Sequence, residues 1–238
     1  MLRNLAERIK EGVQNRGYLP QVLFSGLRGQ ESPAESDILL REARYVVFDT
    51  ELTGLSRRKD SVVSLGAVVV EDGMIPLGEY FYRVVSPRTA LTGRSVVVHG
   101  ITPGETSDCP TIEVLLPEFM KFCEHSILVG HFVGIDKHFL EMELRRFNGG
   151  RFRQPMIDTR KADAWMGKLR DNPCAYYESK TDDMRLAALA GRYGITGKNA
   201  HNALDDAFVT AQVWQRFLWE LPLLGVERVR DILAIAGV

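Results

Sequence analysis

The segment YVVFDTEL, residues 45–52, constrains the fold more than any other part of this sequence. Its apolar first half predicts a buried β-strand, and because side chains alternate along a strand, Asp49 and Glu51 point to the same face. Two carboxylates in so small a volume repel each other and resist joint ionisation, so such pairs usually bind cations. Oxygen ligands suit Mg²⁺ or Mn²⁺. An apolar strand that ends in acids is typical of α/β proteins, whose sites lie at strand ends.

Two further segments contribute acids from distant parts of the chain. VGHFVGIDKHFL contains Asp136, and HNALDDAFVTA contains the adjacent pair Asp205 and Asp206, with His201 five positions before the second of them. On a helix these neighbours lie about 100° apart, so a single site can use only one of them. The spacing alone does not choose between the two.

The chain resembles the DnaQ-like (DEDDh) 3′–5′ exonucleases in three motifs, which occur in the order of that family: FDTELTG, VGHFVGIDKHFL and HNALDDA. In this family the last motif has a histidine five residues before its aspartate. The resemblance covers residues 44–218 and makes the chain similar to the exonuclease domain of DNA polymerase III epsilon subunits. It implies an α/β protein with an RNase H-like fold, a mixed central β-sheet flanked by α-helices.

The resemblance also implies a site for two divalent metal ions, Mg²⁺ or Mn²⁺. Asp49 would bridge both ions, while Glu51 and Asp206 would bind the ion on the side of the nucleophile. Asp136 would reach the other ion, largely through water. His201 would be the general base, because an imidazole with an unperturbed pKa of about 6.5 can take a proton near neutral pH. The implied reaction is phosphodiester hydrolysis at the 3′ end of single-stranded nucleic acid, with DNA favoured.

The family pattern assigns further positions. Its spacing selects Asp206 over Asp205 as the metal ligand. Leu52 would wedge against the terminal base, and His99, in VVVHGIT, would line the substrate cleft. The substrate-binding residues implied by the resemblance are Thr50, Leu52, Thr53, Gly54 and His99.

One position departs from the family pattern. The second motif usually has an asparagine after its histidine, whereas here Phe132 follows His131. The metal ligands stay intact, but a residue that could position the substrate is changed. Phe132 could stack on a base, a contact that tolerates any sequence, or it could fill the core. The core interpretation is favoured.

Charge and cysteine content narrow the class of protein. With 30 basic and 31 acidic residues, the chain does not resemble a protein that coats duplex DNA through a broad cationic face. Contact with nucleic acid should therefore be local, and the basic turn at residues 57–59 could meet phosphates or simply be solvated. Three cysteines without a CxxC pair indicate packing residues in a reducing compartment. The absence of a signal peptide or membrane-spanning stretch predicts a cytoplasmic protein with no membrane partner.

The chain is predicted to have three parts. Residues 1–37 form an amphipathic N-terminal helix and a polar linker, residues 38–220 the exonuclease domain, and residues 221–238 a helical tail on the surface. The N-terminal helix packs on its own domain or on a partner such as a polymerase. Residues 170–183 are polar and predict an inserted loop, whereas residues 86–110 are rich in Pro, Gly, Ser and Thr.

Two alternatives to the DNA exonuclease remain at this stage. An RNA-trimming exoribonuclease would use the same site, because discrimination comes from the pocket for the terminal sugar. A catalytically silent DnaQ-like binding or scaffolding module would retain the fold for interaction alone. The presence of all four acids together with His201 argues against the silent module.

Overall fold

A mixed five-stranded sheet forms the centre of the computed structural model, which describes residues 37–148, 150–170, 183–197 and 201–238. The strand order is β3-β2-β1-β4-β5. β1 pairs antiparallel with β2 and parallel with β4, while β2–β3 is antiparallel and β4–β5 parallel. The strands are β1 Tyr45–Leu52, β2 Val62–Val70, β3 Tyr80–Val84, β4 Ile127–Gly130 and β5 Met156–Asp158. The predicted RNase H-like architecture is confirmed.

Helices lie on both faces of this sheet. In chain order they are α1 Gly93–His99, α2 Pro103–Thr106, α3 Ile112–Phe122, α4 Gly134–Asn148, α5 Thr159–Arg170, α6 Leu186–Arg192, α7 Ala203–Leu223 and α8 Val229–Ala236. The predicted N-terminal helix, the linker and Cys174 lie outside the described residues, as does the loop predicted at 170–183 apart from its end positions. In the part of the chain that the structure describes, no helix has both the length and the apolar character needed to cross a membrane.

The alternation of side chains along β1 divides the core into two halves. Tyr45 and Val47 face α7, where the Tyr45 ring lies 5.1 Å from that of Trp214. Phe48 faces the other side and packs at 5.8 Å on Phe119 of α3. β1 extends past Asp49 and Glu51 to Leu52, so both acids lie within the strand and, like Tyr45 and Val47, on its α7 face.

Short helices occupy part of the segment at 86–110, which was predicted only as rich in turn-forming residues. α1 begins at a capping box formed by Thr92 and Ser95, and it ends at Gly100, whose φ of 73° is left-handed. α2 begins at a second capping box, Thr102 with Glu105, and carries a proline in its first turn. These are ordinary helix start and stop signals, but the helices between them are too short to show an apolar periodicity.

The C-terminal helix α8 was predicted to lie on the surface, yet its apolar face is part of the core. Val229, Ile232 and Ala236 are fully buried in the same cluster as Trp214. Helix α7 ends at Leu223 and so crosses the predicted boundary between residues 220 and 221. The boundaries at 37/38 and 220/221 stay predictions.

Gly66 of β2 allows helix α7 to approach the sheet. Gly66 is paired with Asp49 across the strands, and a Cβ at this glycine would lie 2.3 Å from the carbonyl carbon of Ala203 and the amide nitrogen of Leu204. Only a residue without a side chain permits so close a contact. The start of α7, which carries Asp206, is therefore held directly over β1.

We expect Gly66→Ala to destabilise the fold by about 3 kcal/mol, because the new methyl group meets backbone atoms that cannot rotate away. Displacing α7 should also lower the activity of the folded fraction. Urea unfolding measures the first effect and initial rates the second. Gly78→Ala is the matched control, since an added Cβ there meets nothing within 4 Å. An unchanged unfolding midpoint for Gly66→Ala would contradict the packing described here.

Candidate metal centre

Three carboxylates converge where β1 meets the start of α7. Asp49 and Glu51 project from β1 and Asp206 from the first turn of α7, and one ligand oxygen from each lies within 4.8 Å of the others. Asp49 and Asp206 are partly exposed, whereas Glu51 is 8% exposed. Asp205 is not in this group, although it is adjacent in sequence. The structure therefore brings together the predicted acids of the first and last motifs.

The fourth predicted acid, Asp136, is held beside this group by Thr50. Asp136 lies in the first turn of α4 and is 5% exposed. Its Oδ1 accepts a hydrogen bond of 3.1 Å from the Thr50 amide and a second one from the Thr50 hydroxyl. Both donors of Thr50, which was predicted to grip the substrate, are used to position Asp136.

Burial raises the pKa of all four carboxyls, and repulsion within the group raises it further for Asp49 and Glu51. Burial is the largest cause for Asp49, whose pKa is raised well above its ordinary value, followed by the charges of Asp136, Glu51 and Asp206. Burial and the charges of Asp206 and Asp136 raise the pKa of Glu51 to about 8. Burial also raises the pKa of Asp136, an effect that the hydrogen bonds from Thr50 partly offset.

The site has the chemistry of a divalent cation site. Among the described residues, no lysine or arginine forms an ion pair with any of the four acids. Ser64, which is paired with Glu51 across the strands, has a buried hydroxyl with no hydrogen-bond partner in the same part of the chain. Clustered hard oxygen donors without a cationic side chain fit Mg²⁺ or Mn²⁺.

The raised pKa of Glu51 predicts how the stability of the metal-free protein depends on pH. The carboxyl keeps its proton in the folded state up to about pH 8, whereas in the unfolded state it loses the proton near 4.5. Its contribution to stability is therefore complete below pH 4.5 and is lost as the pH rises to about 8. We expect the free energy of unfolding to fall by on the order of 3 kcal/mol between pH 5 and pH 8.5 without metal.

Urea unfolding in chelator at several pH values tests this dependence. Glu51→Gln should make the curve less steep because it removes one of the carboxyls with a raised pKa, and added Mn²⁺ should restore stability at high pH by binding the folded state. Glu79→Gln, at an exposed position before β3, is the control and should leave the slope unchanged. A wild-type curve that rises from pH 5 to pH 8.5 without metal would contradict the charge arrangement.

His201 lies directly before helix α7 with an exposed side chain. Its backbone is left-handed, with a φ of 67°, and its amide donates a 3.0 Å hydrogen bond to Oδ2 of Asp206. The helix itself is capped by Asn202, whose Oδ1 accepts from the amides of Leu204 and Asp205. The imidazole is therefore not needed for capping and stands next to the acid cluster.

The other predicted substrate-binding residues have varied surroundings. Leu52 is partly buried and packs against the core, and its predicted contact with the terminal base stays a prediction. Thr53 is 3% exposed, and its hydroxyl donates to Asp60 and accepts from the amide of Ser61. At Gly54 a Cβ would lie 2.6 Å from the carboxylate of Asp60. Thr53 and Gly54 thus shape the turn that follows β1.

His99 ends helix α1 and is 7% exposed. Its Nδ1 accepts a hydrogen bond of 3.1 Å from the amide of Ile101, and burial lowers its pKa. Because Nδ1 is an acceptor, the proton of the neutral ring is on Nε2. That nitrogen is buried without a partner among the described residues. The predicted place of His99 in the substrate cleft stays a prediction.

Sequence reasoning missed an apolar cavity beside Asp136. The cavity has a volume of about 220 Å³ and is lined by Leu55, Arg57, Ile135, His138 and Phe139. Leu55 is 73% exposed, although it lies in an otherwise polar turn. An exposed leucine next to the first motif, together with an isoleucine adjacent to Asp136, was the available signal.

Tyr82 of β3 was also missed. It is paired with Gly66, which is in turn paired with Asp49, so all three lie in one row across the sheet. Burial raises the pKa of the Tyr82 hydroxyl, a hydrogen bond with the Asn202 side chain lowers it, and the charge of Glu51 raises it further. The strand pattern of YFYRV could have placed this hydroxyl on the α7 face once the register was known.

Acids from β1, α4 and α7 meet near the carboxyl end of the central strand β1, an arrangement suited to a metal-dependent hydrolase. The sequence profile of the RNase T exonuclease family matches residues 46–214, and the chain belongs to this family. The resemblance and the class of enzyme predicted from the three motifs are thereby confirmed at the level of the family.

Relatives in sequence include polymerase-associated proteins. The DNA polymerase III subunit epsilon of Aquifex aeolicus is 34% identical over 182 residues, which cover 76% of this chain and 84% of that protein. The PolC-type DNA polymerase III of Thermotoga petrophila is 32% identical over 196 residues. That match covers 82% of this chain and only 13% of the length of the polymerase.

Solved structures with a similar fold include two nucleases. Escherichia coli Exonuclease I in complex with a dT13 oligonucleotide superposes with a TM-score of 0.63 at 18% identity, over 77% of this chain and 42% of that one. The nuclease domain of 3′hExo, a DEDDh family member bound to rAMP, has a TM-score of 0.61 at 17% identity. The superposition covers 75% of this chain and 93% of that domain. Both likenesses show the fold.

Proposed function

We propose that this protein is a metal-dependent exonuclease that removes nucleotides from the 3′ end of single-stranded nucleic acid, with DNA as the favoured substrate. The observation that carries the proposal is the convergence of Asp49, Glu51 and Asp206 within 4.8 Å, with Asp136 held alongside by Thr50. The known structure of Exonuclease I with a dT13 oligonucleotide supports a single strand as the ligand for this fold.

The four acids would hold two divalent ions. Asp49, Glu51 and Asp206 would bind one ion, and Asp49 together with Asp136 the other, which the convergence of these carboxylates supports. When bound, such ions stabilise the charge on the attacking and leaving oxygens of a phosphodiester. Thr50 keeps Asp136 oriented through two hydrogen bonds, which limits its motion when the substrate binds.

His201 would take the proton from the attacking water. Its amide is held by Asp206, so the residue is anchored next to the acids while its imidazole is exposed and can exchange the proton with solvent. Neither Asp206 nor Asp49 can replace it as the base while their oxygens bind cations. The role assigned to His201 from the sequence is therefore part of this proposal.

The cavity beside Asp136 is suited to the terminal nucleotide. The exposed side chains of Leu55 and Ile135 offer apolar surface for a base, and Arg57 at the same cavity can contact a phosphate. An apolar cavity accepts any base, which agrees with an enzyme that removes successive nucleotides regardless of sequence. With balanced overall charge, contact would be confined to a few nucleotides near the end.

Matched oligonucleotides test the reaction, its direction and its substrate. Single-stranded DNA and RNA, each labelled at the 3′ or the 5′ end, are incubated with Mg²⁺, with Mn²⁺ and with chelator. We expect metal-dependent shortening from the 3′ end, faster for DNA than for RNA. A faster reaction with RNA would favour the exoribonuclease. Shortening from the 5′ end, or no cleavage with either metal, would overturn the proposal.

A polymerase is the partner that the relatives suggest. The similarity to a DNA polymerase III epsilon subunit supports a proposal that this chain proofreads for a replicative polymerase, with residues 1–37 as the docking segment. Removing residues 1–37 should then abolish binding to the polymerase subunit and leave hydrolysis of free oligonucleotides in place. The cytoplasmic location predicted from the sequence accords with such a partner and stays a prediction.

A further inference from the structure

Phe132 has a backbone conformation that does not suit its side chain. Its φ is 56°, in the left-handed region, where a Cβ costs roughly 1–2 kcal/mol and where glycine and asparagine are the usual residues. The asparagine expected at this position from the family pattern would adopt this left-handed conformation with little strain. A bulky residue held in such a conformation points to a role for its side chain.

The side chain of Phe132 does not fill the core. It is only partly buried and belongs to neither core cluster, so the favoured core interpretation is wrong. The guanidinium carbon of Arg160 lies 5.1 Å from the centre of the Phe132 ring, and the His131 ring meets it edge-on at 5.0 Å. His131 is fixed in turn by Thr159 at 3.0 Å.

Asp158 connects Phe132 and Arg160 with the metal centre. Its Oδ1 accepts hydrogen bonds from the amide of Phe132, at 3.2 Å, and from the amide of Arg160, at 2.9 Å. The charge of the same carboxylate acts on Asp136. Phe132 is the second residue after β4, which runs parallel to β1, so it lies near the carboxyl ends of these two strands, where β1 carries Asp49.

We propose that Phe132 and Arg160 form a stacking platform for a second base of the bound single strand, next to the nucleotide held by the cavity residues. This inference rests on the proposed exonuclease function. An aromatic ring and a planar guanidinium both stack on nucleobases without regard to sequence, and the positive charge of Arg160 also attracts the adjacent phosphate. The platform shares no residue with the cavity of Leu55, Ile135 and Phe139.

Phe132→Asn separates a role in substrate binding from a structural role, because it should increase the stability of the protein and at the same time weaken the binding of the substrate. Asparagine suits the left-handed backbone, so the midpoint of thermal unfolding should rise by a few degrees. Loss of stacking should raise KM for a DNA oligonucleotide about tenfold with a smaller change in kcat. The p-nitrophenyl ester of thymidine 5′-phosphate has one base only, so the ratio of kcat/KM for the oligonucleotide to that for the ester should fall about tenfold. Phe132→Tyr should retain the ratio.

Phe147→Asn is the matched control, since it removes an exposed phenylalanine from the far end of α4, the helix that begins two residues after Phe132. An unchanged ratio for Phe132→Asn overturns the platform, whatever happens to the midpoint. Failure of the proposed function is recognised separately, because the unsubstituted protein would then cleave neither substrate. In that case, the binding of a labelled oligonucleotide, measured by fluorescence anisotropy, tests the stacking platform. A tenfold loss of affinity in Phe132→Asn supports the platform, and equal affinity overturns it.

Discussion

Asp49→Asn is expected to lower the rate of nucleotide release at least about a thousandfold, which corresponds to about 4 kcal/mol of transition-state stabilisation. Asp49 interacts with each of the other three acids, since the charges of Asp136, Glu51 and Asp206 all raise its pKa. It is therefore the ligand through which both ions would be lost together. Asparagine has nearly the same shape, so the strand and its pairing with Gly66 should persist.

The same substitution is expected to stabilise the metal-free protein. In the absence of cations, the charge of Asp49 is partly desolvated and lies near three other carboxyls, and removing it relieves both desolvation and repulsion. The thermal midpoint of Asp49→Asn in chelator at pH 8 should exceed that of the unsubstituted protein. The increase in midpoint on adding Mn²⁺ should be much smaller in the variant, because one shared ligand is missing.

Asp72→Asn is the control for both measurements, the rate of nucleotide release and the change in thermal midpoint on adding Mn²⁺. Asp72 is exposed in the turn after β2, beyond the end of β1 opposite to Asp49, and its φ of 51° suits asparagine. Its substitution should leave rate and metal response unchanged. Activity of Asp49→Asn within tenfold of the unsubstituted enzyme would contradict the assignment of this ligand. A fall in midpoint together with lost activity would instead indicate damage to the fold.

The side-chain period of strands explains why the first motif could be predicted from sequence. Asp49 and Glu51 are two residues apart, and a period of two fixes their common face without knowledge of any partner. Trp214 and Phe217 on α7 likewise follow a helical stripe that the sequence shows. Local periodicity is sufficient wherever one element alone decides the direction of a side chain.

Contacts between distant segments could not be predicted in this way. Thr50 holds Asp136 across 86 residues, and Tyr82 joins the site only because β3 pairs with β2 in a particular register. The sequence also did not indicate that β1 continues to Leu52 and that this side chain packs partly against the core. The exposed apolar residue is Leu55, because the turn held by Asp60 directs it outward.

Asp206→Asn and Asp205→Asn at saturating Mn²⁺ are expected to differ by at least a hundredfold in rate. The oxygens of Asp206 lie within 4.8 Å of those of Asp49 and Glu51, while Asp205 points about 100° away around the helix. Asparagine at 206 can still accept the hydrogen bond from the amide of His201, so His201 should stay in place while the charge is lost. The loss of rate then reports on cation binding rather than on the position of the base.

Asp205→Asn removes an equal charge from the adjacent residue and therefore controls for the general electrostatic field. The charge of Asp205 is a minor cause of the raised pKa of Asp206, so its removal should change the rate by no more than about threefold. Initial rates over a range of Mn²⁺ concentrations distinguish weaker binding from lower turnover. Because the two substitutions differ only by their angle around α7, equal losses would mean that the start of this helix is rotated from the position described here.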